Sequence, residues 1–277
     1  MRLKKLLALA TASALAVTML AACSSGSNTS AGTTSDSNAG TSTSTPAPSG
    51  DKVTLQLGFE NSLSEPVGQA AEKWAELVAE KSNGTMELVL YPDSQLGDKS
   101  ELIDSMLLGE PVCTLADGAF YADYGVPDFG IVFGPFLFDN WEQCWTLIES
   151  DWYKEQCAQL EDKGLKLLAS NWAYGARHTL TVNPVNTVDD LAGMKIRVPN
   201  NKIQSLGFDV LGAASTGMAL GDVYQALQTK TIDGAENPLS TLYGRKLHEV
   251  AKYLILDGHV LNFTTWVCSN DWFNSLT

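Results

Sequence analysis

Between residues 65 and 81 the apolar residues Val67, Ala70, Ala71, Trp74, Leu77 and Val78 recur at steps of one, three and four. That spacing predicts a helix with one buried face, closed by Asn83-Gly84. A β-rich run, 53–59, precedes it, and Met86 to Tyr91 predicts a second strand. Leu102 to Leu108 is helical in pattern and Val112 to Leu115 strand-like. This alternation predicts an α/β chain with a parallel sheet. Further on, Trp141 to Gln159 predicts a helix broken near Ser150-Asp151, and Leu165 to Ala169 a strand. Arg177 to Val182 and Lys195 to Val198 are short strand patterns. Lys202 to Leu211 and Asp222 to Leu227 are helical, Thr231 to Gly234 returns to the sheet, and Tyr253 to Asn262 and Thr264 to Cys268 are β-prone. No internal repeat is visible. In open parallel sheets ligands bind beyond the carboxyl ends of the strands, so two such lobes would hold a cleft between them.

The first fifty residues have a different pattern. Arg2, Lys4 and Lys5 precede an apolar run from Leu6 to Leu20. The run is shorter than the roughly 20 residues a membrane span needs, and it predicts an export signal over residues 1–22. Leu20-Ala21-Ala22-Cys23 resembles the lipobox of bacterial lipoproteins. That resemblance implies lipidation at Cys23 and attachment to the membrane; a plain signal peptide cleaved at the same small residues is the alternative. The stretch that follows, to residue 50, is Ser, Thr, Gly, Ala, Asn and Pro apart from Asp36, with no large apolar side chain. It cannot build a core, and is expected to be a spacer between lipid and folded domain.

Composition narrows the function. With 277 residues, 44% hydrophobic and 18% charged, the chain is globular in class. A net charge of −14 excludes the basic face that nucleic acid requires. The histidines, His178, His248 and His259, lack metal-ligand spacing, and no P-loop, C-x-x-C, H-E-x-x-H or G-x-S-x-G occurs. No enzyme, metal or cofactor is expected from these residues. Cys113, Cys144, Cys157 and Cys268 follow the lipobox cysteine. An extracytoplasmic site allows a disulfide, and buried free thiols fit equally well.

The arginines carry the most information. After the leader there are twelve lysines but three arginines, Arg177, Arg197 and Arg245. Arg177 and Arg197 stand twenty residues apart in strand-like contexts. A guanidinium is planar, always charged, and binds a carboxylate through two parallel hydrogen bonds. A rare arginine at a strand end gives an acidic protein a fixed anion site; a surface or fold-stabilising arginine is the plainer alternative.

Four ordered stretches then carry a family resemblance. They are Leu90-Tyr91-Pro92-Asp93-Ser94-Gln95-Leu96-Gly97, Asp189 to Pro199 (ending Lys195-Ile196-Arg197-Val198-Pro199), Asp222 to Gln228, and Ile232-Asp233-Gly234-Ala235-Glu236-Asn237-Pro238. From Val53 to Thr277 the chain resembles the DctP-type substrate-binding proteins of tripartite ATP-independent periplasmic (TRAP) transporters. The resemblance implies a two-lobe α/β fold of the periplasmic-binding-protein kind (type II-like), with lobe 1 over 51–174, lobe 2 over 175–262 and a return to lobe 1 over 263–277. Family members normally continue for several tens of residues, so the helices that complete and bridge the lobes are expected to be missing. Arg197 would grip the substrate carboxylate, with Arg177 a second anion contact and Asn237 a hydrogen-bonding partner. Asn200, Asp117, Glu60 and Tyr224 are further candidates for the cleft, and Trp172 and Tyr174 for its apolar walls.

Two departures bear on the ligand. Ser215-Thr216-Gly217-Met218 stands where the family has a Pro-Thr-Pro-Met-like stretch, and Phe120 stands where sialic-acid binders have an arginine. The second argues against sialic acid. The implied partners are a small carboxylate and a membrane permease of small and large subunits, the protein itself a monomer. An ATP-driven importer's binding protein for a sugar or peptide is the rival; it would share the tether and cleft but lack this ordered motif set.

Overall fold

The structure, a computed structural model, describes residues 52–276. The expected export signal, Cys23 and the spacer lie outside the described residues. The chain runs β1 (Val53–Gly58), α1 (Pro66–Lys81), β2 (Met86–Tyr91), α2 (Lys99–Leu107), β3 (Val112–Ala116), α3 (Gly118–Asp123), α4 (Trp141–Ile148), α5 (Asp151–Asp162) and β4 (Leu165–Thr181). It continues through β5 (Lys195–Val198), α6 (Lys202–Asp209), β6 (Ala214–Gly217), α7 (Val223–Gln228), β7 (Gly234–Pro238), α8 (Leu239–Gly244), β8 (Tyr253–Ser269) and α9 (Asn270–Asn274). The break expected near 150 is real: the Ser150 hydroxyl accepts from the Tyr153 amide and caps a new helix.

The sheet is mixed rather than parallel, which corrects the sequence reading. Its order is β2-β1-β3-β8-β4-β7-β5-β6. β1 lies parallel to β2 and β3, and β5 parallel to β6 and β7. Between these two blocks β8 and β4 run antiparallel to each other and to the strands on either side, β3 and β7. Each is 17 residues long. The separate runs expected at 165–169 and 177–182 are therefore one strand, as are those at 253–262 and 264–268. Ser170, Asn171 and Gly175 interrupt the apolar alternation of β4, and its pairing with β8 shifts register four times.

The result is a two-lobe α/β fold, with separate cores at the two ends of the sheet. One is organised on Leu57, Phe59, Leu115 and the fully buried Trp266, backed by a second cluster around Phe129, Tyr153 and Phe263. The other packs Val223, Leu227, Ile232 and Leu242, beside a smaller group around Ile196, Val198 and Phe208. Cys113, Cys144, Cys157 and Cys268 are all free thiols, and burial pushes each thiol pKa up. Among the described residues no helix is long and apolar enough to cross a membrane.

Candidate ligand-binding site

Strand ends and helix caps bring the site together. Glu60 and Asn61 follow β1, and Asp117 follows β3 and caps α3 by accepting from the Ala119 amide at 3.1 Å. Lys99 opens α2, whose start is fixed by a capping box: Asp98 accepts from the Glu101 amide at 2.9 Å and Glu101 from the Asp98 amide at 2.8 Å. From the other end of the sheet come Arg197 on β5, Pro199 just beyond it, and Asn237 on β7. Arg177 and Tyr174 lie on the connecting strand β4. All of these line one nearly enclosed polar cavity of about 20 Å³, room for about one water.

Arg197 is 1% exposed. Its Nε and Nη2 both donate to the Met218 carbonyl, at 2.9 and 2.6 Å. Among the described residues no carboxylate lies within ion-pair distance of it. Burial lowers its pKa, against the pull of Glu60 and Glu236. This is a desolvated cation whose Nη1 has no hydrogen bond in the described structure, which suits it to an incoming anion.

Arg177 is differently placed. Its Nε donates to Glu236 Oε2 at 2.5 Å, Nη2 to Glu236 Oε1 at 2.6 Å, and Nη1 to Asn262 Oδ1 at 3.0 Å. Glu236 also sits 3.2 Å from His259 Nε2. Although burial opposes its charge, Arg177 and His259 hold the Glu236 carboxyl far below the usual range. The expected second anion contact thus lines the cavity but gives most of its donors to Glu236 and Asn262. Glu236 was missed from sequence, although it stands beside Asn237 in the same motif.

The remaining groups divide clearly. Asn237 is 4% exposed, and its carboxamide makes no side-chain hydrogen bond among the described residues. Glu60 accepts from the Leu220 amide at 3.2 Å and lies 3.7 Å from Lys99 Nζ. Burial would raise its pKa, but Lys99 and Arg197 outweigh it and hold it low. Burial wins at Asp117, whose pKa is raised despite Lys99 and Arg177. Phe120 also lines the cavity, with Lys99 Nζ 4.6 Å from its ring centre. Asn200 borders a small adjoining recess with Glu60, Lys99 and Arg197 and packs over Gly217.

Besides Asn200, two expected residues fall outside the cavity lining. Tyr224 hydrogen-bonds Glu249 at 3.0 Å on the outer side of α7. Trp172 packs against Trp74 and Trp266, with ring centres 5.9 and 5.3 Å away, as part of a core. Tyr174 does line the cavity, but as a polar group: its hydroxyl joins Asn61 and Thr241. Lys99, Asn61, Gln204 and Thr264 belong to the lining and were not singled out from sequence.

The comparisons with known proteins agree with this geometry. Residues 57–277 match the model of the bacterial extracellular solute-binding protein family 7, DctP. The chain belongs to that family. It is a solute-binding protein of the TRAP type, a class that works outside the cytoplasm with membrane permeases. The sialic acid-binding periplasmic protein SiaP of Vibrio cholerae is 32% identical over 230 residues, covering 81% of this chain and 70% of the relative. The C4-dicarboxylate-binding periplasmic protein DctP of Rhodobacter capsulatus is 32% identical over 194 residues, covering 70% of this chain and 58% of the relative. A crystal structure of a TRAP periplasmic solute-binding protein from Ochrobacterium anthropi with bound L-fuconate superposes with a TM-score of 0.80 at 39% identity. It covers 82% of this chain and 75% of that one.

Proposed function

We propose that this protein captures a small organic acid outside the cytoplasm and delivers it to a TRAP permease of small and large subunits. The observation that carries the reading is Arg197, fully buried at the cavity and without a carboxylate partner among the described residues. A ligand carboxylate would supply the missing counter-charge. Asn237 would hydrogen-bond the ligand, Arg177 would add its one uncommitted N–H, and Asp117, Glu60 and Asn200 would line the remainder.

Capture is coupled to closure. The cavity is too small for an organic acid as it stands, so entry requires its walls to part. Contacts between the two proposed lobes favour reclosing: Glu60 with the Leu220 amide at the cavity, and, outside its lining, Asp123 with the Lys202 amide at 3.0 Å and Asp93 with Arg245 at 3.3 Å. We take the lobes to be 51–174 and 175–262, with 263–277 returning to the first. The hinge then falls in β4 and β8, where the pairing slips between Ala173 and Gly175. The protein acts without catalysis or cofactor, as a monomer held to the membrane by lipid on Cys23.

A thermal-shift screen tests this reading. The panel holds organic acids beside neutral sugars, amino acids and peptides. A ligand at a hundred times its dissociation constant adds about 2.7 kcal/mol of stability. Stabilisation by one class of acid supports the proposal; stabilisation only by neutral sugars or peptides favours an ATP-driven importer's binding protein instead.

A further inference from the structure

Two cysteines that ligand binding leaves unused stand opposite each other in the sheet. Cys113 on β3 and Cys268 on β8 are direct partners in the antiparallel pairing of those strands. Directly opposed residues of such a pair have Cα atoms about 4.5–5.5 Å apart, with both side chains on one face of the sheet. A disulfide spans Cα separations of roughly 4.4–6.8 Å. The backbone therefore already offers the spacing that the bond requires. Both side chains are fully buried, in one apolar cluster with Leu57, Leu115 and Trp266. Charge on Cys268 adds to the burial that keeps the Cys113 thiol protonated, as expected of neighbouring sulfurs. Cys144 and Cys157 are placed differently, on the helices α4 and α5 outside the sheet.

Location supplies the chemistry. The chain belongs to a class that works outside the cytoplasm, where disulfides form and persist. We propose that Cys113 and Cys268 are joined by a cross-strand disulfide when the protein folds outside the cytoplasm, and that the structure, which holds both as thiols, is the reduced form.

The oxidant is a disulfide donor, either a thiol–disulfide oxidase or a small-molecule disulfide. One cysteine attacks the donor as its thiolate and releases one donor thiol; the other attacks the mixed disulfide and releases the second. One S–S bond breaks, one forms, and the two cysteine protons leave on the donor's thiols. Thiols buried in apolar surroundings are inert, so the bond forms before β8 seals against β3, and burial then shields it from reductant. Neither cysteine lines the cavity; the bond ties the end of β8 to β3 and acts on stability.

The test is refolding under redox control. The full chain, reduced and unfolded in guanidinium chloride, is refolded in a buffer of glutathione and glutathione disulfide, and its remaining thiols are alkylated under denaturing conditions. A glutamate-specific protease cuts at Glu142, between Cys113 and Cys144, so mass spectrometry of the peptides assigns each cysteine. The expected product links the peptides carrying Cys113 and Cys268 and leaves Cys144 and Cys157 alkylated. The oxidised protein should melt about 4–16 °C above the same protein kept in reductant, and Cys113→Ala should abolish that difference. The peptide map of the native chain stands even where the variant folds poorly. Alkylation of both Cys113 and Cys268 after refolding overturns the proposal, as does a bond from either of them to Cys144 or Cys157. A linked pair that melts at or below the reduced protein overturns it too, because the bond would then not fit this sheet.

Discussion

Removing one charge from the Arg177–Glu236 pair is expected to cost more stability than any surface change in this protein. The Glu236 side chain is 1% exposed and that of Arg177 is 4% exposed. The carboxylate accepts two guanidinium hydrogen bonds and faces His259 as well. Glu236→Gln preserves shape but leaves a guanidinium and an imidazolium buried side by side without their shared counter-charge. Breaking a buried pair by removing one partner costs about 3–5 kcal/mol. For a folded unit of this size each kcal/mol moves the melting midpoint by about 2–4 °C, so the expected drop is roughly 6–20 °C. The assay is urea unfolding followed by Trp fluorescence, with calorimetric melting alongside. Replacing both partners by apolar residues, Arg177→Met with Glu236→Leu, is expected to recover most of the loss, because the cost lies in the orphaned charge. A loss below about 1 kcal/mol in Glu236→Gln, the scale of an exposed pair, would refute the reasoning.

His259 sets a pH dependence. Burial opposes its charge, but Asp257 and Glu236 outweigh it and raise its pKa to about 9; the ring also abuts Phe208. An unfolded histidine titrates near 6.5, so its contribution, on the order of 3 kcal/mol, is full below that pH and lost as pH rises through 9. Melting midpoints from pH 6 to 9.5 should fall in the native protein and flatten in His259→Gln; parallel curves would contradict the assignment. Gly118→Ala should destabilise by about 1–3 kcal/mol. Its Cβ would lie 2.2 Å from the Phe129 carbonyl oxygen and 2.5 Å from Val132 Cγ2, a clash that forces α3 away from the chain behind it. Equal unfolding midpoints in urea would show that this approach has slack.

Local pattern made much of the fold legible. The three-four spacing of Val67, Ala70, Trp74 and Leu77 marks a helix because one face must meet the sheet, and α1 lies where it predicts. The antiparallel centre was not legible, because pairing of β3 with β8 joins residues some 150 positions apart in the chain and leaves no local trace. Nor did the pattern mark α8: its short run Leu239–Gly244 begins directly after Pro238, without a side-chain cap. At the site, Arg197 stood out because arginine is rare in this chain. Arg177 looked equivalent from sequence, and only the fold brings Glu236 across from β7 to occupy it. Lys99 was hidden among twelve lysines and is distinguished by the capping box that anchors α2. Trp172 and Tyr224 show the reverse failure, since residue type alone does not separate a cleft wall from a core or an outer helix face.

The central claim is that Arg197 holds the ligand's carboxylate, and titration of Arg197→Gln tests it most directly. The titrant is the acid that most stabilises the native protein. Hydrogen bonds to charged groups are worth about 1.5–3 kcal/mol each, so the loss should be at least roughly tenfold to a hundredfold in affinity. The variant should remain folded by circular dichroism, since Met218 loses only its guanidinium donors. Affinity reduced to that extent in a folded variant is the predicted result. Unchanged affinity would contradict the account, because the lining cation that has no carboxylate partner among the described residues would then have no part in binding.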